Sequence, residues 1–153
     1  MDVSDDIPEP ATLTHLKDNF TNSCWGQRTT TMVELPFDVS LGSVVINGRI
    51  DAVFQDDDDH YTVVDWKTGK VPTNEKDRMT KALQLAVYRI AFQRIINVQR
   101  AEKGQPPLPL ENIRAAFYYV AHDDTLWLDE LADAAELEKL ITGLTASTDM
   151  EKQ

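Results

Sequence analysis

Hydrophobic positions in the first half of the chain fall into two neighbouring stretches on either side of a polar cluster. Residues 48–54 and 60–67 are rich in β-branched and aromatic side chains, and a run of aspartates lies between them. Two such stretches around a polar cluster are typical of a β-hairpin. With the turn centred on Asp58, Val53 is predicted to pair with Val63.

The spacing of apolar residues in the rest of the chain predicts three helices and three further strands. Thr73 or Asn74 can cap the long helix, whose apolar residues occupy nearly all its sides, so we expect it to be buried almost all round. Asp129 can cap the last helix. In chain order, we predict a short helix at 13–20, a strand at 32–39, the hairpin, a long helix at 75–101, strands at 113–121 and 125–128, and a last helix after Asp129.

This order of elements predicts an α/β fold in which helices flank a central mixed sheet with an antiparallel hairpin at its core. The acidic, proline-bearing residues 1–10 are expected to form a flexible linker. Residues 11–147 are then one domain, long enough to bury a core, and residues 148–153 form a frayed tail.

The candidate chemistry lies on one face of the hairpin. In the predicted register Asp51 faces Asp65, with the Cβ atoms roughly 5 Å apart, and like charges so placed destabilise a sheet unless a cation offsets them. Carboxylate oxygens suit Mg²⁺ or Mn²⁺. Lys67 shares the face, opposite Arg49, and is placed to orient a water molecule or to stabilise charge on a phosphate.

The acidic residues also have a simpler interpretation. Asp51, Asp65 and Lys67 would form a solvated face with a surface ion pair, worth about 0–1 kcal/mol. The run Asp56–Asp59 is interpreted as a solvated loop tip, because consecutive aspartates in a turn cannot all point inward.

Four short motifs occur in one order along the chain. They are Glu34 in an opening strand, Gly-Arg-Ile-Asp ending at Asp51, Asp-Trp-Lys-Thr-Gly beginning at Asp65, and Gln84 four residues before Tyr88. In these motifs the chain resembles the PD-(D/E)xK nuclease superfamily in its RecB-like branch. The nearest resemblance is to the nuclease domain at the C-terminus of UvrD/Rep-type bacterial ATP-dependent DNA helicases, the AddAB- and AdnAB-like enzymes.

The resemblance implies a restriction-endonuclease-like fold over residues 11–147 and a Mg²⁺- or Mn²⁺-dependent deoxyribonuclease of exonuclease type, acting in DNA repair and recombination. Its partners would be a single-stranded DNA end delivered by the motor and the helicase domains of the same polypeptide. The implied catalytic residues are Asp51, Asp65, Lys67 and Glu34; the implied metal ligands are Asp51, Asp65 and the backbone carbonyl of Trp66; the implied substrate contacts are Gln84, Tyr88, Arg49 and Lys81.

Other interpretations of the same motifs stay open. Gln84 and Tyr88 would merely satisfy buried hydrogen bonds, and Glu34 would be solvated as most strand carboxylates are. The chain would then be a catalytically inactive module that guides single-stranded DNA or docks a helicase. RecB-like nucleases also carry an upstream metal-ligand histidine, whose context His15 does not match. Either the metal site is incomplete or, as we expect, the chain is a C-terminal fragment of a larger helicase that cleaves poorly alone.

Charge and composition limit the possible partners and compartment. The net charge is −11, but outside 1–10, 56–59 and 123–153 the chain carries 13 basic against 9 acidic residues, a net charge of +4. A locally basic surface with an acidic periphery can hold DNA, though weakly. No apolar run approaches the roughly 18 residues of a membrane span. The N-terminus has no signal sequence and Cys24 is the single cysteine, which together predict a cytoplasmic protein.

Overall fold

The structure, a computed structural model, describes residues 10–128 and 130–151. Three α-helices and five strands follow one another along this part of the chain in the predicted order. Helix α1 spans Pro10–Asn22; strands β1, β2 and β3 span Met32–Leu41, Val44–Asp57 and His60–Lys67; helix α2 spans Glu75–Glu102; strands β4 and β5 span Ile113–Tyr119 and Asp124–Trp127; helix α3 spans Ala134–Glu151.

The five strands form one sheet in the order β1-β2-β3-β4-β5. Strands β3 and β4 run parallel, and the other neighbours run antiparallel. Parallel neighbours need a long crossover connection, and α2 supplies it. The predicted α/β fold with a central mixed sheet is therefore confirmed.

The helices cover both faces of this sheet. On one face, α2 packs against β4 and β1, and α3 packs against β1 and α2, so that Phe92, Phe117 and Leu137 belong to one core cluster. On the opposite face, Leu16 of α1 and the nearby Trp25 pack against β2, β3 and β4. None of the helices within residues 10–128 and 130–151 has the apolar length that a membrane crossing requires.

The hairpin has the predicted register along most of its length. Val53 pairs with Val63 as expected, and the pairing becomes irregular only near the tip. The ladder ends where Ala52 faces Val64, so the predicted ladder pairs Asp51–Asp65 and Arg49–Lys67 do not form. The reason is local: Asp51 Oδ2 accepts the backbone N–H of Trp66 at 2.8 Å, and this side-chain bond replaces the next step of the ladder.

Helix α2 begins as predicted but is less buried than predicted. Asn74 is the N-cap, and its side-chain oxygen accepts the backbone N–H of Asp77 at 2.8 Å. The expectation of burial almost all round is wrong, because Met79 is 62% and Val98 61% exposed. A helix of 28 residues is about 42 Å long, and the eight-residue strand β3 spans only about 26 Å beneath it.

The chain ends are described only in part. Helix α3 begins at Ala134, and Asp133 caps it by accepting the backbone N–H of Glu136 at 2.9 Å; the predicted cap Asp129 lies outside the described residues. The frayed tail was predicted from residue 148, whereas the helical backbone continues to Glu151. Of the predicted linker 1–10, only Pro10 is described, and it opens α1.

Gly48 in β2 lies against an aromatic ring of the neighbouring strand. It faces Phe37 across the β1–β2 pair, and a Cβ atom placed at Gly48 would lie 2.6 Å from the Phe37 ring. Glycine inside a strand often marks such a close approach. Phe37 is buried in the core beneath α2, so the ring cannot move without disturbing the packing there.

We predict that Gly48→Ala lowers the free energy of unfolding by about 1–3 kcal/mol, because the added methyl group overpacks the Phe37 ring. The matched control is Gly143→Ala in α3, where an added Cβ meets nothing within 4 Å. That control should raise stability by about 0.5–1 kcal/mol through helix propensity. Urea unfolding followed by circular dichroism measures both, and equal effects of the two substitutions would contradict the close approach.

Candidate metal and phosphate site

Two charged side chains are buried at the carboxyl end of the central strand β3. Alternation along the strand places Asp65 and Lys67 on the same face as Tyr61 and Val63, which belong to the core beneath α2. Asp65 is only 3% and Lys67 only 4% exposed. Charged residues are almost never buried to this extent unless they are paired, so this pair is the chemically unusual feature of the fold.

The Asp65 carboxylate and the Lys67 ammonium form an ion pair. Lys67 Nζ lies 2.9 Å from Asp65 Oδ2. This buried oxygen has no hydrogen-bond partner of standard geometry, so the contact with Lys67 is an ion pair held by charge attraction.

Asp51 brings a second carboxylate to the same place. Its Oδ2 accepts the Trp66 backbone N–H, which ties the side chain to the strand that carries Asp65. The pKa of Asp65 is raised to about 7, chiefly by burial and next by a side-chain hydrogen bond with Asp51, while the Lys67 charge opposes both effects. The predicted proximity of the two carboxyl groups is thus observed, although the ladder pair itself is absent.

Helix α2 contributes the wall of the site. Gln84 Nε2 donates a hydrogen bond to Tyr88 Oη at 2.8 Å, as expected for residues one turn apart. The pKa of Tyr88 is raised by its burial and next by the Asp65 charge, which places the phenol close to the carboxylates. Because Tyr88 accepts the amide N–H, its own proton can be donated to another group.

Two ammonium groups converge over one aromatic ring. Lys67 Nζ lies 5.2 Å and Lys81 Nζ 6.0 Å from the centre of the Phe117 ring. Both distances are within or at the limit of a cation–π contact. The structure therefore brings Lys81 of α2 to the charged end of β3, where an anion would meet two positive charges.

Glu34 and Arg49 lie outside this buried cluster, and both side chains are exposed. Glu34 has a φ of +48°, in the left-handed region that residues with a Cβ rarely adopt. It interrupts the pairing of β1 with β2 at the position opposite Asp51. Strained backbone positions of this kind cluster at functional sites. The roles of Glu34 and Arg49 stay predictions.

The carboxylate oxygens at this end of β3 suit a cation that binds oxygen ligands and needs few of them from the protein. Among the described residues, no group of three or more histidine, cysteine, aspartate or glutamate side chains is arranged to hold a metal ion. Mg²⁺ needs no such cage, since it is usually held by one or two carboxylates together with waters and substrate phosphates. Asp51 and Asp65 fit that description, and Asp65 Oδ2 is a buried oxygen without a hydrogen-bond donor.

His15 does not complete the donor set. It lies on α1, which packs on the sheet face opposite to α2, and its ring nitrogen is 3.3 Å from the amide of Asn19. Asn19 in turn donates to the carbonyl of Val120 at 2.8 Å. His15 is therefore tied to the contact between α1 and the end of β4.

One residue near the cluster was missed by sequence reasoning. Tyr119 is buried, but its hydroxyl makes no hydrogen bond. The parallel pairing of β3 and β4 places Tyr119 beside Lys67 and Phe117 beside Asp65. Alternation in β4 places Phe117 and Tyr119 on the same face of the sheet. Which strand lies beside them depends on the strand order, and local sequence does not encode that order.

Comparison with known families matches residues 10–150 to the PD-(D/E)XK nuclease superfamily. The matched segment contains the whole of the cluster at the end of β3. A search of curated proteins finds no match.

We predict an unusual pH dependence of stability in metal-free protein. The Asp65 carboxyl holds its proton up to a pKa of about 7 when folded, against 3.8 in the absence of the fold. Between these values the folded chain binds more protons, so the free energy of unfolding should fall as pH rises, by at most about 1.4 kcal/mol per pH unit. Urea unfolding in EDTA, comparing wild type with Asp65→Asn, isolates this slope. If the free energy of unfolding depends on pH in the same way in both proteins, the raised pKa of Asp65 is contradicted.

Proposed function

The chain belongs to the PD-(D/E)XK nuclease superfamily, and on that premise we propose that it is a metal-dependent nuclease acting on DNA. The observation that carries the proposal is the buried pair of Asp65 and Lys67 with the half-buried Asp51 beside it. A fold that needs only stability gains little from burying such charges, because desolvation offsets much of their attraction. The presence of these charges beneath α2 is consistent with a catalytic site at the carboxyl end of β3.

Asp51, Asp65 and the backbone carbonyl of Trp66 would hold Mg²⁺ or Mn²⁺. When bound, the ion would polarise a phosphoryl oxygen and lower the pKa of bound water. Lys67, within reach of Asp65, orients the attacking water and stabilises negative charge on the phosphate. Water oxygen bonds to phosphorus, the bond from phosphorus to the leaving sugar oxygen breaks, and that oxygen receives a proton.

The remaining residues position the substrate. Gln84 and Tyr88 form a hydrogen-bonded pair beside the carboxylates, and Lys81 shares the Phe117 ring with Lys67. An amide, a phenol and an ammonium together suit the oxygens of a phosphodiester. We assign Arg49 to the same strand-binding surface and Glu34 to the metal-binding side, opposite Asp51.

We further propose that the activity belongs to a RecB-like helicase-nuclease in DNA repair or recombination. The order of the glutamate, Gly-Arg-Ile-Asp, Asp-Trp-Lys and Gln-x-x-x-Tyr motifs supports this subtype. Helicase domains of the parent polypeptide would then deliver a single-stranded end for exonucleolytic cleavage. The acidic periphery of the chain supports the idea that much of the DNA affinity comes from such a motor.

A second candidate is a catalytically inactive module that guides single-stranded DNA or docks the motor. The observation in its favour is that, in the described part of the chain, no three metal-ligand side chains converge. Asp65 and Lys67 would then be a buried structural ion pair. Single-strand binding without cleavage would distinguish this module from the nuclease.

We predict that Lys67→Met lowers Mn²⁺-dependent cleavage of single-stranded DNA about a hundredfold or more, because no other group takes over the water. Asp65→Asn should lower it similarly. The control is Lys70→Met, an exposed lysine three residues beyond Lys67, which should cleave as wild type does. Gel assays at high protein concentration measure all four proteins, with circular dichroism to confirm folding. Equal cleavage by Lys67→Met and Lys70→Met would refute the proposed role.

A further inference from the structure

Tyr119 ends β4 next to the charged cluster. In the parallel register it is the partner of Lys67, two positions after Phe117, over which the Lys67 ammonium lies. Alternation gives Phe117 and Tyr119 the same face of the sheet, the one beneath α2. The side chain is 1% exposed and is thus buried, as Asp65 and Lys67 are.

The Tyr119 hydroxyl is buried without a hydrogen-bond partner. Buried tyrosine hydroxyls usually find a partner, and one left unpaired is unfavourable because it loses water without replacement. If the chain needed only an aromatic ring here, phenylalanine would fill the same volume without that loss. The hydroxyl is thus a group whose partner is not supplied by the described residues.

The adjacent tyrosine shows that the strand can satisfy such a group. Tyr118 points to the opposite face, where its hydroxyl donates to Asp123 Oδ1 at 2.6 Å and lies 3.3 Å from the carbonyl oxygen of Asn19. Both tyrosines are buried to the same extent. The difference between them is which side of the sheet they face, and only the Tyr119 side carries the candidate site.

The charges around the hydroxyl define its partner. Burial raises the pKa of Tyr119 to about 12, and the charged groups that act on it are Lys67, Asp65 and Asp124. The phenol therefore keeps its proton and serves as a donor. A donor next to an ammonium group suits an anionic oxygen, which can accept from both at once.

We propose that Tyr119 is a substrate-binding residue, whose hydroxyl donates a hydrogen bond to the same phosphate oxygen that Lys67 contacts. The inference rests on the proposed nuclease function and adds a residue from β4 to a site otherwise built from β2, β3 and α2. The ligand class is a phosphate ester, and the bond is completed only when that ester occupies the site.

The test compares Tyr119→Phe with its neighbour Tyr118→Phe. The probe is thymidine 5′-monophosphate, a phosphate ester with no internucleotide bond to cleave, titrated by calorimetry in Mn²⁺. Tyr119→Phe should weaken its binding about tenfold or more, as expected for a hydrogen bond to a charged group, and Tyr118→Phe should leave it unchanged. In urea unfolding the opposite variant should show the loss. Tyr119→Phe should be as stable as wild type or more stable, and Tyr118→Phe should be less stable than wild type.

Two results would overturn the inference. One is unchanged binding of the nucleotide by Tyr119→Phe, and the other is weaker binding of Mn²⁺ alone, which would place the hydroxyl in the metal shell. Failure of the nuclease proposal is distinguishable, since wild type and Lys67→Met would then bind the nucleotide equally.

Discussion

The burial of a carboxylate and an ammonium on the central strand is the constraint on which the rest of the structure depends. Asp65 and Lys67 follow apolar residues on the same face of β3, so the strand that supplies the core also carries the charges. Helix α2 above and β4 alongside shield the pair from bulk solvent. Such a pair contributes little to stability, because desolvation offsets its attraction, but its electrostatic effects on a ligand are stronger than they would be in water. The Asp51 bond to the Trp66 N–H fixes the second carboxylate against this pair.

Much of the fold follows from local patterns, whereas the exceptions depend on side-chain competition and on the order of the strands in the sheet. The hairpin register is predictable because the strand period is two and the polar turn sets the pairing of Val53 with Val63. The end of the ladder was not predictable, since it depends on a side chain of Asp51 competing with the backbone. The proximity of Asp51, Asp65 and Lys67 was predicted from spacing. The burial of Asp65 and Lys67 was not, because α2 covers them only after the β3–α2–β4 crossover forms. The same parallel pairing, invisible in local sequence, brings Tyr119 to Lys67.

Unfavourable features are concentrated around one cluster. Asp65 Oδ2 and Tyr119 Oη are the buried side-chain oxygens without a hydrogen bond among the described residues, and both lie at the carboxyl end of the β3–β4 pair. A buried hydroxyl left without a hydrogen bond, as in Tyr119, costs about 1–3 kcal/mol, whereas Asp65 Oδ2 has the Lys67 ammonium 2.9 Å away. The left-handed backbone of Glu34 lies nearby in register, opposite Asp51. A domain of marginal stability retains such features where a ligand compensates for them. Carboxyl ends of parallel strands are also where open α/β sheets usually bind ligands.

The central claim is that Asp51 and Asp65 form one cation site, and Mn²⁺ binding by calorimetry tests it most directly. The comparison is wild type against Asp51→Asn, with Asp58→Asn, an exposed aspartate at the hairpin tip, as the matched control. The account predicts that wild type and Asp58→Asn bind Mn²⁺ with equal affinity and that Asp51→Asn loses this binding. Loss only in Asp58→Asn would place the cation at the acidic tip, and either that result or equal binding by all three proteins would contradict the account.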